Sequence, residues 1–261
     1  MFDDLPTVTR TFQFPDGTAV DRLGYGAMRL TGQPRNFGPY EDWEAGVALL
    51  RRAADLGVTF FDSAWSYGPE TADRIVGEAL EGRDVFIATK GGVDKPGPSS
   101  IVVDGSRDTL LNQIDRALVN LRRDRIDLFQ LHRVDPETPL EVSVAALNEA
   151  REDGRIGAIG LSNVSRQDLD RALAVAPIAS VQNRFNQEDT ESGDLVDYTA
   201  EKGIAFIPYG PLGANPMERG AKLEPKAALA WLLKRSPNIV VIPGTTSIAH
   251  LEENWRTWDL V

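Results

Sequence analysis

The feature that most constrains the fold is a regular alternation of strand-like and helix-like segments along most of the 261 residues. The strand-like segments are continuous apolar runs such as VTFF and IVVI, which are typical of parallel strands buried on both faces. They predict eight strands, at residues 21–23, 59–62, 85–89, 126–131, 158–161, 180–182, 204–208 and 239–242. Helical periodicity predicts eight helices, at residues 42–56, 71–80, 106–121, 139–153, 165–174, 192–202, 224–235 and 247–258.

Glycine and proline positions agree with these helix boundaries. Gly57, Gly154 and Gly203 each follow a helical segment, where a glycine adopts a left-handed conformation without a Cβ clash. Pro225 suits the first turn of a helix, where its missing N–H costs nothing. Strand–helix units repeated without a linker predict a single (β/α)8 TIM barrel rather than an open doubly wound sheet. We therefore expect residues 1–261 to form one domain.

The N-terminal segment predicts a β-hairpin before the barrel. The runs TRTFQF and TAVDRL flank a turn at Pro15, Asp16 and Gly17, and Asp-Gly is a strong hairpin signal. The first residues, MFDDLPTVTR, are acidic and lack an apolar core, so no signal peptide is expected.

Composition excludes several classes of function. The chain has no cysteine, which removes disulfides and thiolate chemistry and suits a reducing compartment, so a cytoplasmic location is expected. A net charge of −11 disfavours nucleic acids and anionic membranes as partners. No apolar run approaches the roughly 20 residues of a membrane helix. A phosphate-bearing ligand remains compatible, because backbone amides at helix N-termini bind phosphate locally.

Four chemically complementary residues lie at the downstream ends of consecutive predicted strands. Asp62 ends the strand at 59–62 and is followed in the next loop by Tyr67, while Lys90 and His132 directly follow the next two strands. Active sites of such barrels form at this rim, so these side chains are expected to meet. A phenol has a pKa of about 10, and a neighbouring cation lowers it by stabilising the phenolate. The group therefore predicts an enzyme with a tyrosine proton donor.

Other chemistries fit less well. No metal site is expected, because the chain has two histidines and no cysteine, and His250 falls in the last predicted helix. The sequence contains neither a GxSxG nucleophile elbow nor an early GxGxxG fingerprint, which disfavours serine hydrolases and Rossmann folds. A lyase that forms a Schiff base on Lys90 remains an alternative.

Seven motifs in order resemble the aldo-keto reductase family. They are FDSAWSYG with Asp62 and Tyr67, ATKGG with Lys90, LHRV with His132, IGLSNV, SVQNRFN, FIPYGPLG and IPGTTSIAHLEEN. The stretches LGYGAMRLTG, ALAWLLKRSPNI and IPGTTSIAHLEEN are most similar to bacterial members that resemble pyridoxal reductases. The resemblance implies reduction of an aldehyde or ketone, such as a pyridoxal-like aldehyde, by NADPH, with NADH as an alternative donor.

The resemblance also implies roles for individual residues. Tyr67 would protonate the developing alkoxide, Lys90 would lower the Tyr67 pKa, Asp62 would hold Lys90, and His132 would orient the carbonyl oxygen. The implied cofactor-binding residues are Gly26, Met28, Ser162, Asn163, Gln182, Tyr209, Gly210, Pro211, Leu212, Gly213, Gly244, Thr245, Thr246, Ser247, His250, Glu253 and Asn254. Among them, Ser162, Asn163 and Gln182 would hold the nicotinamide carboxamide and Tyr209 would stack on its ring. The expected walls of the substrate pocket are Met28, Phe37 and Trp65.

The chain also departs from the family pattern. Gly244 and His250 stand where many members carry cations that clamp the 2′-phosphate, so the preference for NADPH is expected to be weaker. The segments after FIPYGPLG and after the last helix are short. We therefore expect a substrate pocket that is either open or closed by a neighbouring subunit, in a monomer or small homo-oligomer. A cofactor-binding regulatory module with slow turnover, built on the same fold, is a further alternative.

Overall fold

The computed structural model describes residues 8–213 and 222–261. The strands are β1 (Thr11–Gln13), β2 (Ala19–Asp21), β3 (Tyr25–Gly26), β4 (Phe60–Asp62), β5 (Phe86–Gly91), β6 (Val93–Gly97), β7 (Ser100–Val103), β8 (Ile126–Leu131), β9 (Ile156–Ser162), β10 (Ser180–Gln182) and β11 (Ala205–Phe206). The α-helices are α1 (Trp43–Leu56), α2 (Thr71–Leu80), α3 (Arg107–Leu121), α4 (Leu140–Glu152), α5 (Arg166–Leu173), α6 (Gly193–Glu201), α7 (Pro225–Arg235) and α8 (Ile248–Trp255). Short 3₁₀ helices follow β3 at Ala27–Arg29 and α8 at Arg256–Leu260.

The central sheet is parallel and closes on itself. Its strand order is β11, β10, β9, β8, β5, β4, β3. Residues 239–241 complete the circle, because Ile239 bridges Phe206 of β11 and Val241 bridges Leu23, just before β3. The structure therefore confirms the predicted (β/α)8 barrel.

Local signals account for the helix boundaries. The Asp42 carboxylate caps α1 by accepting the Ala45 N–H, and α1 ends at Gly57 with a left-handed φ of 103°. Glu224 caps α7, whose first residue is Pro225. All eight predicted helices are present, each within a few residues of its predicted bounds. No helix among the described residues is long and apolar enough to span a membrane.

The N-terminal hairpin closes one end of the barrel. The strands β1 and β2 pair antiparallel, as predicted. Phe14, in their turn, stacks on Phe86 with a centroid distance of 4.4 Å and lies parallel to Phe60 at 6.2 Å. Phe60 and Phe86 are the first residues of β4 and β5, so the hairpin covers the N-terminal ends of the strands. Access to the barrel interior is left at the opposite, C-terminal rim.

Two parts of the sheet differ from prediction. The first barrel strand is Tyr25–Gly26 rather than 21–23, because residues 19–21 pair within the N-terminal hairpin. The antiparallel hairpin of β6 and β7 was not predicted at all. Its sequence signal is a Pro-Gly-Pro turn between short runs with β-branched residues. The shortened segment before α7 includes residues 214–221, which lie outside the described residues.

Candidate active site

The four candidate catalytic residues meet at the C-terminal rim. Asp62 is the last residue of β4, Lys90 is next to last in β5, and His132 directly follows β8. The register places these strand ends side by side, since β4 pairs with β5 and β5 pairs with β8. Tyr67 lies in the turn between β4 and α2, where its N–H donates to the Ala64 carbonyl. The fold thus brings together residues that are up to 70 positions apart.

The Lys90 ammonium is fully buried and makes three polar contacts. Its Nζ lies 2.6 Å from Asp62 Oδ2, 2.8 Å from the Ser63 carbonyl and 3.5 Å from the Tyr67 hydroxyl. Burial alone lowers the Lys90 pKa, but Asp62 and Tyr67 outweigh it and the net pKa is raised. Lys90 is therefore charged at neutral pH. It also lies outside the lining of the large cleft that Tyr67 and His132 line. This geometry disfavours the Schiff-base alternative, which needs an accessible neutral amine.

Asp62 is held by two glutamines as well as by Lys90. Its Oδ1 accepts N–H bonds from Gln130 at 3.2 Å and from Gln182 at 2.9 Å, while Oδ2 faces Lys90. Both carboxylate oxygens are bonded, so the orientation of Asp62 is defined from three strands. Gln130 was not predicted, although a polar residue inside the apolar run IDLFQL is a visible signal. Gln182, expected to hold the nicotinamide, directs its amide at Asp62 and is 2% exposed.

Tyr67 is a half-buried phenol that lines a large cleft. Removal from water raises its pKa above 10, and the nearby carboxylates Asp62 and Asp73 act in the same direction. The Lys90 ammonium opposes this rise through its charge and its hydrogen bond. Lys90 thus lowers the Tyr67 pKa as expected, but burial outweighs it and leaves the net pKa raised. The proton consequently stays on Tyr67 at neutral pH, as a proton donor requires.

His132 stands beside Tyr67 as a neutral imidazole. The two rings meet edge to face, with their centroids 5.9 Å apart. Burial, together with the positive charges of Lys90 and Arg133, holds the His132 pKa well below 6.5. His132 Nδ1 lies 3.4 Å from Ser66 Oγ. If Ser66 donates this bond, the imidazole proton is on Nε2.

A cleft of about 1450 Å³ extends from these residues across the barrel mouth. This volume exceeds the roughly 300–1,000 Å³ of a pocket for one drug-sized ligand, so it has room for a dinucleotide and a substrate. Most of the implied cofactor residues line it: Gly26, Met28, Ser162, Asn163, Gln182, Tyr209, Gly210, Pro211, Leu212, Gly244, Thr245, Thr246, His250, Glu253 and Asn254. Gly213 and Ser247 lie outside its lining. Ser247 instead caps α8, accepting the His250 N–H.

Asn163 connects three loops at the centre of this cleft. Its backbone is left-handed, with φ of 57°. The side-chain amide donates to the His132 carbonyl and to Ser162 Oγ, both at 3.1 Å, and accepts from the Tyr209 hydroxyl at 2.8 Å. Ser162 in turn donates to the Gln182 carbonyl at 2.8 Å. The polar side chains expected to hold a nicotinamide are thus bonded mainly to one another, which preorganises this part of the rim.

Two of the three expected substrate-pocket walls do not line the cleft. Met28 does, whereas Phe37 lies beside it and pairs through its backbone with Gly68. Trp65 lies in a separate depression, where its indole N–H donates to Asp94 Oδ1 at 3.3 Å. The reason is the unpredicted β6–β7 hairpin, which carries Asp94 to Trp65.

Several cleft residues were missed by sequence reasoning. Arg133 and Arg184 line the cleft and follow shortly after the strand-end residues His132 and Gln182. Their position just past a strand end was the sequence signal that could have predicted a place on the rim. Others come from the loop after β3 and from the β6–β7 hairpin, including Arg29, Gln33, Tyr40, Val93, Lys95 and Ile101. Of this second group, only Arg29 lies within a quoted motif, LGYGAMRLTG.

Comparisons with known proteins agree with this geometry. The sequence model described as the Aldo/keto reductase family matches residues 22–227. An uncharacterized oxidoreductase of Schizosaccharomyces pombe is 37% identical over 247 residues, covering 90% of this chain and 80% of the relative. Pyridoxine 4-dehydrogenase of Escherichia coli is 37% identical over 254 residues, covering 90% and 88%. A second S. pombe protein, an aldo-keto reductase named with NADP(+), is 31% identical over 287 residues, covering 90% and 83%.

Solved structures share the fold. A glycerol dehydrogenase from Gluconobacter oxydans superposes with a TM-score of 0.84 at 23% identity, covering 95% of this chain and 90% of that one. An aldo-keto reductase from Bacillus halodurans, solved in its holo form, gives 0.82 at 22% identity, covering 96% and 91%. The family model spans most of the barrel, and two curated relatives exceed one third identity over nine tenths of the chain. The chain belongs to the aldo/keto reductase family.

Proposed function

We propose that this protein reduces an aldehyde or ketone to the alcohol with NADPH, and that a pyridoxal-like aldehyde is among its substrates. The observation that carries the proposal is the Tyr67 hydroxyl, 3.5 Å from a buried ammonium and exposed to a cleft that His132 also lines. Similarity to pyridoxine 4-dehydrogenase supports the substrate class, and the relative named with NADP(+) supports the cofactor.

Tyr67 is the proton donor in this mechanism. A bound nicotinamide cofactor supplies the hydride that the carbonyl carbon accepts. Tyr67 passes its proton to the carbonyl oxygen as negative charge develops there. The phenolate left behind is stabilised by Lys90, whose other two N–H groups are fixed on Asp62 and the Ser63 carbonyl. Lys90 thus acts through Tyr67 from outside the cleft lining, and Asp62 acts by holding Lys90.

His132 orients the carbonyl. As a neutral imidazole that accepts from Ser66 at Nδ1, it presents an Nε2–H donor to the cleft. A hydrogen bond from this N–H to the carbonyl oxygen polarises the carbonyl and positions it beside Tyr67. This role does not require protonation of His132, and the low pKa of His132 keeps the ring neutral throughout the physiological range.

The rim residues fit a nicotinamide dinucleotide. At one end of the cleft, Thr245 and Thr246 precede α8. Ser247 occupies the His250 N–H there, so the amides left to bind phosphate are those of Ile248 and Ala249. Gly210, Pro211 and Leu212 also line the cleft and would contact the pyrophosphate. Arg29 Cγ lies 3.8 Å from the position a Cβ on Gly244 would take, so a cation adjoins this turn. The fit favours NADPH, with NADH as a weaker alternative.

Cellular location and assembly form a further part of the proposal. The absence of cysteine supports a cytoplasmic location. We propose that residues 1–261 act as one domain, in a monomer or small homo-oligomer. Cell fractionation and size-exclusion chromatography with light scattering would test these two points.

Replacing the proton donor tests the mechanism. Tyr67→Phe removes one hydroxyl from a half-buried ring, so NADPH binding should be nearly unchanged while turnover falls by about 10²–10⁴-fold. The assay follows NADPH absorbance with a panel of aldehydes and ketones that includes pyridoxal, and fluorescence titration measures cofactor binding. Wild-type turnover in this variant would refute the assigned mechanism, and tighter binding of NADH than of NADPH would refute the cofactor preference.

A further inference from the structure

The β6–β7 hairpin forms one wall of the cleft above the catalytic residues. Side chains alternate along a strand, so Val93 and Lys95 face the cleft while Asp94 faces away, toward Trp65. Ile101, on β7, also lines the cleft beside them. The hairpin therefore presents an apolar wall with one ammonium in it.

Lys95 is a buried cation to which no described residue supplies a counterion. The residue is only 7% exposed, and its Nζ donates to the backbone carbonyls of Arg35 and Asn36. An ammonium has three donors, so these two carbonyls leave one. In the parts of the chain that the structure describes, no carboxylate forms an ion pair with Lys95. Burial lowers the Lys95 pKa, and the positive charge of the nearby Arg35 lowers it further. This corner of the cleft is therefore locally positive.

No carboxylate within residues 8–213 and 222–261 pairs with Lys95, although the chain has 39 acidic residues and a net charge of −11. Burying an ammonium without a charged partner is unfavourable, and such groups are normally paired. Two carboxylates on the same rim, Glu41 and Asp42, do not pair with Lys95, and Asp42 is used to cap α1. An anionic group on the ligand would complete the site.

The loop that Lys95 holds stands next to the reacting groups. Gly32 and Gly38 close this loop through a backbone hydrogen bond of 3.0 Å, and the Gly38 N–H donates to the Gly68 carbonyl at 2.8 Å. Gly68 directly follows Tyr67. A slot is thus bounded by the loop, by the β6–β7 hairpin and by Tyr67, with Lys95 on its wall.

We propose that Lys95 binds an anionic group of the carbonyl substrate, a carboxylate or a phosphate ester, while Val93 and Ile101 contact its apolar body. Lys95 thereby selects acidic aldehydes or ketones over neutral ones of the same shape. It does not contact the reacting carbonyl, so its role is in specificity. This inference deepens the proposed function and rests on it.

Lys95 also ties the loop to the hairpin, and the test separates this structural role from anion binding. Lys95→Gln removes the charge but keeps an N–H donor for the loop carbonyls, and Lys95→Arg keeps the charge. Two substrate pairs are compared by kcat/KM: 4-carboxybenzaldehyde with benzaldehyde, and pyridoxal 5′-phosphate with pyridoxal. The first pair reports on a carboxylate and the second on a phosphate ester.

In Lys95→Gln, kcat/KM should fall by about ten-fold or more for the acidic member of at least one pair, relative to its neutral member. Lys95→Arg should restore most of that preference. Equal losses for both members of each pair would show that Lys95 only ties the loop, and would overturn the inference.

A binding measurement keeps the inference testable apart from catalysis. Calorimetry compares 4-(hydroxymethyl)benzoate with benzyl alcohol on the wild-type protein and on Lys95→Gln. If the wild-type protein binds the benzoate more tightly than benzyl alcohol and Lys95→Gln loses this difference, the anion site is supported. This holds even if no aldehyde is reduced, and in that case only the proposed function fails. Equal binding of the benzoate to both proteins, with no loss for the acidic substrates, refutes the anion site.

Discussion

Asp73 offers the sharpest test of the electrostatics behind the site. This carboxyl, on α2, is fully buried behind the catalytic group, where its Oδ1 accepts from the Thr89 hydroxyl at 2.9 Å. Its Oδ2 and the Ser63 Oγ lie near each other but do not form a hydrogen bond of good geometry. Burial raises the Asp73 pKa from 3.8 to about 6, against the lowering effects of Ser63, Thr89 and Lys90. The carboxylate of Glu70, which is paired with Arg116, adds to the rise.

The pKa rise sets the size and the sign of the effect on stability. Because the folded state holds the Asp73 proton more tightly than the unfolded state, stability is lost as the pH rises through the interval from 3.8 to about 6. At 1.36 kcal/mol per pH unit, the ionised carboxylate costs about 3 kcal/mol above that interval. Asp73→Asn abolishes this cost with almost no change in shape, and its amide can donate to Ser63.

The measurement is urea unfolding of the wild type and Asp73→Asn at pH 4 and pH 8. The variant should gain about 2.5 kcal/mol relative to the wild type between the two pH values, because a small part of the cost is already present at pH 4, just above 3.8. This double difference cancels any pH-independent packing change. Asp124→Asn, at an exposed position, is the matched control and should gain little. An equal free-energy difference at both pH values would refute the reasoning. In the variant, the Tyr67 pKa should also fall, shifting the alkaline limb of the pH–rate profile to lower pH.

Two other substitutions test the framework of the barrel and of the site. Arg22 is fully buried and donates to the carbonyls of Leu233, Ser236 and Ile239. Arg22→Met should cost about 3–5 kcal/mol of unfolding free energy in urea, because those carbonyls lose their partner, and a loss below about 1 kcal/mol would contradict this. Gln182→Leu removes one donor to Asp62, so kcat should fall about ten-fold while NADPH binding by fluorescence stays nearly constant. Weaker binding with unchanged kcat would instead assign Gln182 to the cofactor.

The order and type of the elements could be read from the sequence because they depend on local physics. Apolar runs predict buried strands, and glycines such as Gly57 and Gly154 end helices through their left-handed conformation. The order of strands and helices predicts the barrel, and the barrel predicts which strand ends share a rim. On that basis the sequence alone predicts that Asp62, Tyr67 and Lys90 lie together.

Properties that depend on side-chain environment could not be read in the same way. The sequence places Lys90 near Tyr67, but only the tertiary structure determines how far each is removed from water. Burial raises the Tyr67 pKa by more than Lys90 lowers it, and no local pattern shows this. Likewise, Gln182 occupies a rim position as expected, yet its amide turns toward Asp62. Hydrogen-bond partners across three strands are not encoded in any local pattern.

The sequence by itself determined the barrel, the catalytic rim and the family, because these follow from periodicity and from motifs in a fixed order. Only the tertiary structure decided which residues form the cleft wall beside Tyr67. The β6–β7 hairpin takes Trp65 out of the expected pocket and brings Lys95 into it. That outcome depends on how a short hairpin folds over a distant loop, and contacts of this range are set by three-dimensional packing rather than by local sequence.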